Sequence, residues 1–347
     1  MIGRLYARWM DRWETELANR DTNRTVRPFE WGLDWLELTS PDGDRGAFEA
    51  FAAWSAERIA RSEEFFRHVA PEDARLESGG AGSGGTLTFT STIPSPHPEN
   101  NVVHAEYFPA EQAGGRAVVV VPQWNADFES HLGLCRLLNR FGLSALRLSP
   151  AYHHKRMPKE LTRADYHVSA NLGRTVQATR QSVLDARACL DWLEGRGYTR
   201  LGIMGTSLGS CIALLTAAHE TRLRTAAFNH VSMNVGDVVW SGMSCRHIRA
   251  TIGGRVTLEQ LNRCWGVISP SAYLDLLKTR SNANLLVWAP YDTTFRAEYS
   301  RQVLANFNRL AIPHEVVTLP CGHYTTAKFP FNWMDGLSLA RFLRRTL

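Results

Sequence analysis

The chain has 347 residues, 44% of them hydrophobic, and a net charge of +5. That length holds one large domain or two ordinary ones with a substantial core. Its basic residues are scattered among acidic ones and form no stripe, so a nucleic-acid partner is not expected. The six cysteines include no Cys-x-x-Cys pair, which points away from a disulfide framework or a zinc site. No stretch reaches the roughly 18 apolar residues of a membrane span, and charges interrupt the N-terminus too often for a signal-peptide core. A cytoplasmic location is expected.

Ile2, Leu5, Tyr6, Trp9, Met10, Trp13 and Leu17 recur at helical spacing and predict one amphipathic helix over the first twenty residues. An interfacial membrane helix wants a basic face opposite its aromatic one, but here Asp11, Glu14 and Glu16 mix with Arg4, Arg8 and Arg12. Membrane association is therefore not expected. The helix is expected to pack on the body of the protein or on a second copy, giving a homo-oligomer. Its deletion should expose apolar surface while leaving any chemistry in place.

A turn at Pro41-Asp42-Gly43-Asp44 precedes a second helix carrying Phe48, Phe51, Ala52, Ile59 and Phe66. The glycine-rich run from Ser78 to Gly85 leads into a strand, not from a strand into a helix, and reads as a flexible linker. Residues 1–85 then form an N-terminal helical extension and 86–347 the main domain. Two strands between Leu87 and Phe108 flank the proline-rich Ile93 to Pro98, and the continuously apolar Ala117 to Val121 predicts a central strand covered on both faces. A helix through Leu134, Leu137, Leu138 and Phe141 closes on Gly142, the strand Leu143 to Leu148 follows, and a long loop holds Tyr152, His153 and His154. The next helix runs through Val176, Val183, Leu190 and Leu193 to Gly195. This alternation predicts an α/β fold with a mostly parallel, doubly wound sheet and helices on both faces.

Between an apolar run ending at Met204 and a helical stretch from Ser210 stands Gly205-Thr206-Ser207-Leu208-Gly209. A Gly-x-Ser-x-Gly at a strand-to-helix junction makes a turn too tight for larger side chains two positions either side of the serine. Asp292 follows the predicted strand Leu285 to Ala289, and His323 follows Val316 to Leu319. In this order Ser, Asp, His, each beyond a strand's C-terminal end, the chain resembles the α/β-hydrolase superfamily over residues 86–347. The plainer alternative leaves Gly205 and Gly209 to helix packing and makes Asp292 and His323 ordinary loop residues. Pro150-Ala151-Tyr152, Lys155-Arg156-Met157-Pro158 and Asp191-Trp192-Leu193-Glu194 resemble, more narrowly, the abhydrolase domain-containing protein eighteen group.

Ser207 as nucleophile needs a base, and His323 is placed to serve, with Asp292 orienting its ring. Oxyanion donors are expected from the Leu208 N–H and from the loop after the valine strand, by position from Trp124, with Gln123 as the other candidate; Trp124 could instead be a core ring. Tyr152, His153, His230 and Trp240 are the expected pocket residues, and His230 is a second candidate base. As metal ligands His153 and His154 lack a third partner of suitable spacing. Some fifty residues separate His230 from Leu285, against roughly 2 to 6 in an ordinary connection. This insertion, about 231–283, carries Val235, Val239 and Met243 at intervals of four with Trp240 beside them, then Leu258, Leu261 and Trp265. It reads as a helical lid; otherwise these are helices packed on the sheet's flank. The expected function is cofactor-free and metal-free hydrolysis of a carboxylic ester, of a small molecule or a lipid, through an acyl-enzyme. Acyl transfer, peptide cleavage and a silent binding role are the alternatives.

Overall fold

The computed structural model of the chain describes residues 2–39, 43–78, 84–280 and 282–347. Pro41 and Asp42 of the expected turn and residues 79–83 of the glycine-rich run lie outside the described residues. In chain order the strands are β1 (Arg75–Ser78), β2 (Gly85–Thr90), β3 (Val102–Phe108), β4 (Arg116–Val121), β5 (Ser144–Leu148), β6 (Arg200–Thr206), β7 (Leu223–Asn229), β8 (Ala283–Trp288) and β9 (His314–Thr318). They form one sheet in the order β1-β2-β3-β5-β4-β6-β7-β8-β9. The β1–β2, β2–β3 and β3–β5 pairs are antiparallel, and every pair from β5 to β9 is parallel. β1 precedes the glycine-rich run and has only four residues, too few for a period-2 signal to register.

The helices are α1 (Ile2–Asn19), α2 (Gly43–Ala60), α3 (Ser62–Phe65), α4 (Leu132–Arg140), α5 (Leu172–Gly195), α6 (Leu208–His219), α7 (Val235–Ser241), α8 (Arg246–Ile252), α9 (Leu258–Cys264), α10 (Leu274–Lys278), α11 (Ala297–Arg309) and α12 (Phe331–Thr346). Strand side chains alternate between faces, and β4 shows the consequence. Ala117, Val119 and Val121 join the layer built by α2, α5, α6, the insertion helices and α11. Val118 and Val120 join the opposite layer with Met10 of α1, Leu138 of α4 and Leu339 of α12. Ala117 to Val121 are all fully buried, which is why this strand reads as an unbroken apolar run. Edge strand β9 shows the reverse, with His314, Glu315 and Thr318 on a largely exposed surface.

α1 packs on its own chain. Met10, Leu17 and Ala18 are buried, while Leu5 and Trp9 stay exposed. No helix among the described residues is long and apolar enough to cross a membrane. All six cysteines are buried and unpaired, as small core residues.

The loop after β5 is held by an ion pair of two fully buried side chains, with Arg156 Nη1 2.8 Å from Asp185 Oδ2 on α5. Arg156 also donates to the carbonyls of Asn100 and Ser149, and Asp185 accepts from the Ser91 hydroxyl at 2.7 Å. Removing one partner leaves the other charge buried and unpaired. Arg156→Ala is therefore expected to cost roughly 3 to 5 kcal/mol in a urea-unfolding measurement, and an unchanged midpoint would contradict this reading of the loop.

Candidate active site

β6 ends at Thr206 and α6 begins at Leu208, leaving Ser207 alone at the junction with φ 57 and ψ −119. A residue with a Cβ is held there only by surroundings that over-determine it. Those surroundings are tight. A Cβ on Gly205 would lie 1.9 Å from the Gly209 carbonyl oxygen, and one on Gly209 would lie 2.1 Å from that of Val121. Both glycines are thus required by close backbone approach, and Ser207 is pushed up beside the loop that leaves β4.

The Ser207 hydroxyl lies 3.2 Å from His323 Nε2, and His323 Nδ1 lies 3.0 Å from Asp292 Oδ2. The other carboxylate oxygen of Asp292 accepts the N–H groups of Thr294 and Phe295 at 2.7 and 2.6 Å. Burial by itself would raise the Asp292 pKa, but the His323 charge and contacts from His230 and His323 outweigh it and hold the carboxyl far below its ordinary range. For His323 burial disfavours the charged ring, yet the adjacent Asp292 carboxylate prevails and raises its pKa above the ordinary imidazole value.

His230, at the end of β7, places Nδ1 2.9 Å from the same Asp292 Oδ2. Its Nε2 faces the Thr326 hydroxyl at 3.1 Å and is turned away from Ser207. Two imidazoles therefore share one carboxylate, and of the two candidate bases only His323 reaches the serine. Among the described residues the grouping with metal-ligand spacing is this same trio, its candidate ligand atoms within 4.8 Å of one another. Its atoms are already committed: one carboxylate oxygen lies between two ring nitrogens and the other is capped by two N–H groups.

The loop after β4 lacks the glycines that would give it freedom, and side chains lock it in their place. Asn125 takes the left-handed conformation at φ 57 and donates its N–H to His153 Nε2 at 3.1 Å. The Asn125 Oδ1 accepts from the Ala164 N–H at 2.8 Å, and the Trp124 indole donates to the Ala164 carbonyl at 2.9 Å. His153 in turn donates from Nδ1 to the Ala151 carbonyl at 2.9 Å, which leaves Nε2 as the acceptor. Burial, with His167 alongside, holds its pKa well below the ordinary value and keeps the ring neutral. The backbone N–H groups of Gln123, Trp124 and Leu208 find no acceptor among the described residues.

A cleft of about 1410 Å³ is lined in part by Gln123, Trp124, His153, Ser207, His230 and His323. Two expected pocket residues are elsewhere. Tyr152 is 1% exposed and donates its N–H to Asn100 Oδ1 at 2.8 Å, packed beside Ala151 and Ala178 behind the cleft wall. Trp240 lies under Arg249 of α8, whose guanidinium carbon is 3.5 Å from the ring centroid. Because α7 packs on α8 and α9, its ring faces the neighbouring helix; from the insertion it is Ser244 that lines the cleft. The sequence reading also missed Asp335 on α12, which lines the cleft and accepts from Asn229 Nδ2 at 2.8 Å. Burial pushes its pKa up to about 6, against the pull of His230. A single acid on a helix whose Leu339, Ala340 and Leu343 are buried gave no signal in the sequence.

Solved structures share this fold. An acetyl xylan esterase from Paenibacillus sp. superposes with a TM-score of 0.62 at 16% identity, covering 86% of this chain and 94% of that one. Acetyl xylan esterase 1 from Thermoanaerobacterium sp. gives a TM-score of 0.60 at 16% identity over 84% and 93%. Residues 127–283 match the family described as Alpha/beta hydrolase domain containing 18. The chain has the α/β-hydrolase fold. The family match holds Ser207 but ends before Asp292 and His323. An acylaminoacyl peptidase from Pyrococcus horikoshii shares the fold at a TM-score of 0.57 and 12% identity, over 76% of this chain and 42% of that one. No curated protein sequence matches the chain.

Proposed function

We propose that the protein is a serine hydrolase that cleaves a carboxylic ester through an acyl-enzyme on Ser207. The observation that carries the reading is the hydrogen-bonded line from the strained Ser207, through His323 Nε2 and Nδ1, to a buried Asp292. His323 takes the serine proton as Oγ attacks the ester carbonyl, and Asp292 stabilises the imidazolium that forms. The oxyanion is received by the free N–H groups of Leu208 and of Trp124 or Gln123. His323 then hands its proton to the departing alkoxide. A water deprotonated by the same ring attacks the acyl carbonyl, and Ser207 recovers its proton as the acid leaves.

Ester cleavage is favoured over peptide cleavage because two of the structural relatives are esterases by name, and the substrate is a small-molecule or lipid ester. The insertion shapes the acyl site through Ser244, while the Trp240 ring packs against Arg249 of α8. Turnover of p-nitrophenyl esters from acetate to palmitate, repeated with added alcohols and amines, tests the reading. Hydrolysis with free acid as the main product is expected. Predominant transfer to the added nucleophile would make the protein an acyltransferase, and no turnover of any ester would remove the proposal.

A further inference from the structure

The turn that carries His323 is held by a residue from the far end of the sequence. Glu14 of α1 is fully buried, and its Oε1 accepts the Thr325 N–H at 2.7 Å. Its Oε2 accepts the Tyr324 N–H at 3.1 Å and the Thr293 hydroxyl at 3.3 Å. One carboxylate therefore joins the two residues after His323 to the residue after Asp292. The fit is close: a Cβ on Gly322 would lie 2.3 Å from the Glu14 carboxyl carbon. Two further contacts fasten α1 to the same segment. The Tyr6 hydroxyl donates to the Pro320 carbonyl, and the Thr325 hydroxyl lies 3.4 Å from Met10 Sδ.

The N–H groups of Tyr324 and Thr325 are inside the protein and need acceptors, since a buried unpaired donor costs roughly 1 to 3 kcal/mol. An apolar residue at position 14 would satisfy helical amphipathicity and leave both donors empty. We propose that Glu14 is a positioning residue for the hydrolysis, holding the turn 322–326 so that His323 Nε2 stays on Ser207 while Nδ1 stays on Asp292. The proposal rests on the Ser207 acyl-enzyme reading. It makes α1 part of the active-site scaffold, where the sequence suggests a helix peripheral to the chemistry.

Glu14 also adds a negative charge behind the ring. His323 is faced by Asp292 and His230 from the ends of β8 and β7, by Tyr324 of its own turn, by Asp335 beyond His230, and by Glu14 from α1. Among these, Asp292 and Glu14 favour its charged form. Replacing Glu14 by the neutral isostere removes one of the two and sets an amide donor against a backbone N–H.

The test uses the full chain, with fluorophosphonate labelling and ester kinetics as a function of pH. Labelling of wild type that is lost in Ser207→Ala establishes the underlying reading; if wild type is unlabelled, that reading has failed whatever Glu14 does. With it in place, Glu14→Gln is expected to lower kcat roughly 10- to 100-fold with little change in KM, as a displaced catalytic group does. Its acidic limb should move to lower pH, because the protonated ring loses an anion that favoured it. Glu14→Asp keeps the charge but withdraws it from the N–H groups, so kcat should fall with the limb in place. It also serves where Glu14→Gln fails to fold. A folded Glu14→Gln or Glu14→Asp with wild-type kcat and an unmoved limb would overturn the proposal and leave Glu14 a purely structural residue.

Discussion

Ser207→Ala is expected to lower ester turnover by roughly a millionfold, to the level that transition-state binding alone sustains. The alanine keeps the backbone of the junction, because Gly205 and Gly209 still pass within contact of Gly209 and Val121 carbonyls. It removes the one oxygen that His323 Nε2 can deprotonate. The free N–H groups beside it remain, so a small residual rate over background is part of the expectation. Steady-state hydrolysis of an activated ester measures it. Turnover within tenfold of wild type would mean that another group attacks the ester.

Asp292→Asn is expected to lower turnover by about ten-thousandfold, the size seen when a carboxylate orienting a catalytic histidine becomes an amide. The surroundings decide which way the amide sits. The N–H groups of Thr294 and Phe295 both point at Oδ1 and require an acceptor there, which places the amide NH2 at the Oδ2 position, against Nδ1 of His323 and of His230. Both rings are then driven to accept at Nδ1, and His323 presents a proton to Ser207 where it should present a lone pair. The pH dependence supplies a second readout. In wild type the neutral His323 is the working form and its pKa is raised by Asp292, so activity should rise with pH through a midpoint above the ordinary imidazole value. In Asp292→Asn the residual activity should have its midpoint at lower pH. An unchanged rate and midpoint would mean that a different carboxylate orients the ring.

The parts of the site legible in the sequence are those fixed by local sterics or by chain order. Gly205 and Gly209 announce Ser207 because no other residue fits the backbone approach, and Asp292 and His323 follow because each leaves a strand at its C-terminal end. The apolar run of β4 marks the centre of the sheet for an equally local reason. What stayed hidden depends on contacts between distant segments. Glu14 is one of several acids on α1, and only the docked turn distinguishes it from Asp11 and Glu16. His153 was a candidate pocket residue by position, but its anchoring of Asn125 depends on two loops meeting. Trp240 has the spacing of a helix face, and spacing does not say whether that face meets the cleft or α8.

Ser207, activated by His323, is the group proposed to become acylated. Wild-type protein treated with a fluorophosphonate and digested for peptide mass mapping tests it most directly. A single adduct on the Ser207 peptide is expected, forming faster as pH rises and absent from Ser207→Ala. An unmodified Ser207 peptide, or an equal adduct on another residue in the Ser207→Ala protein, would contradict it.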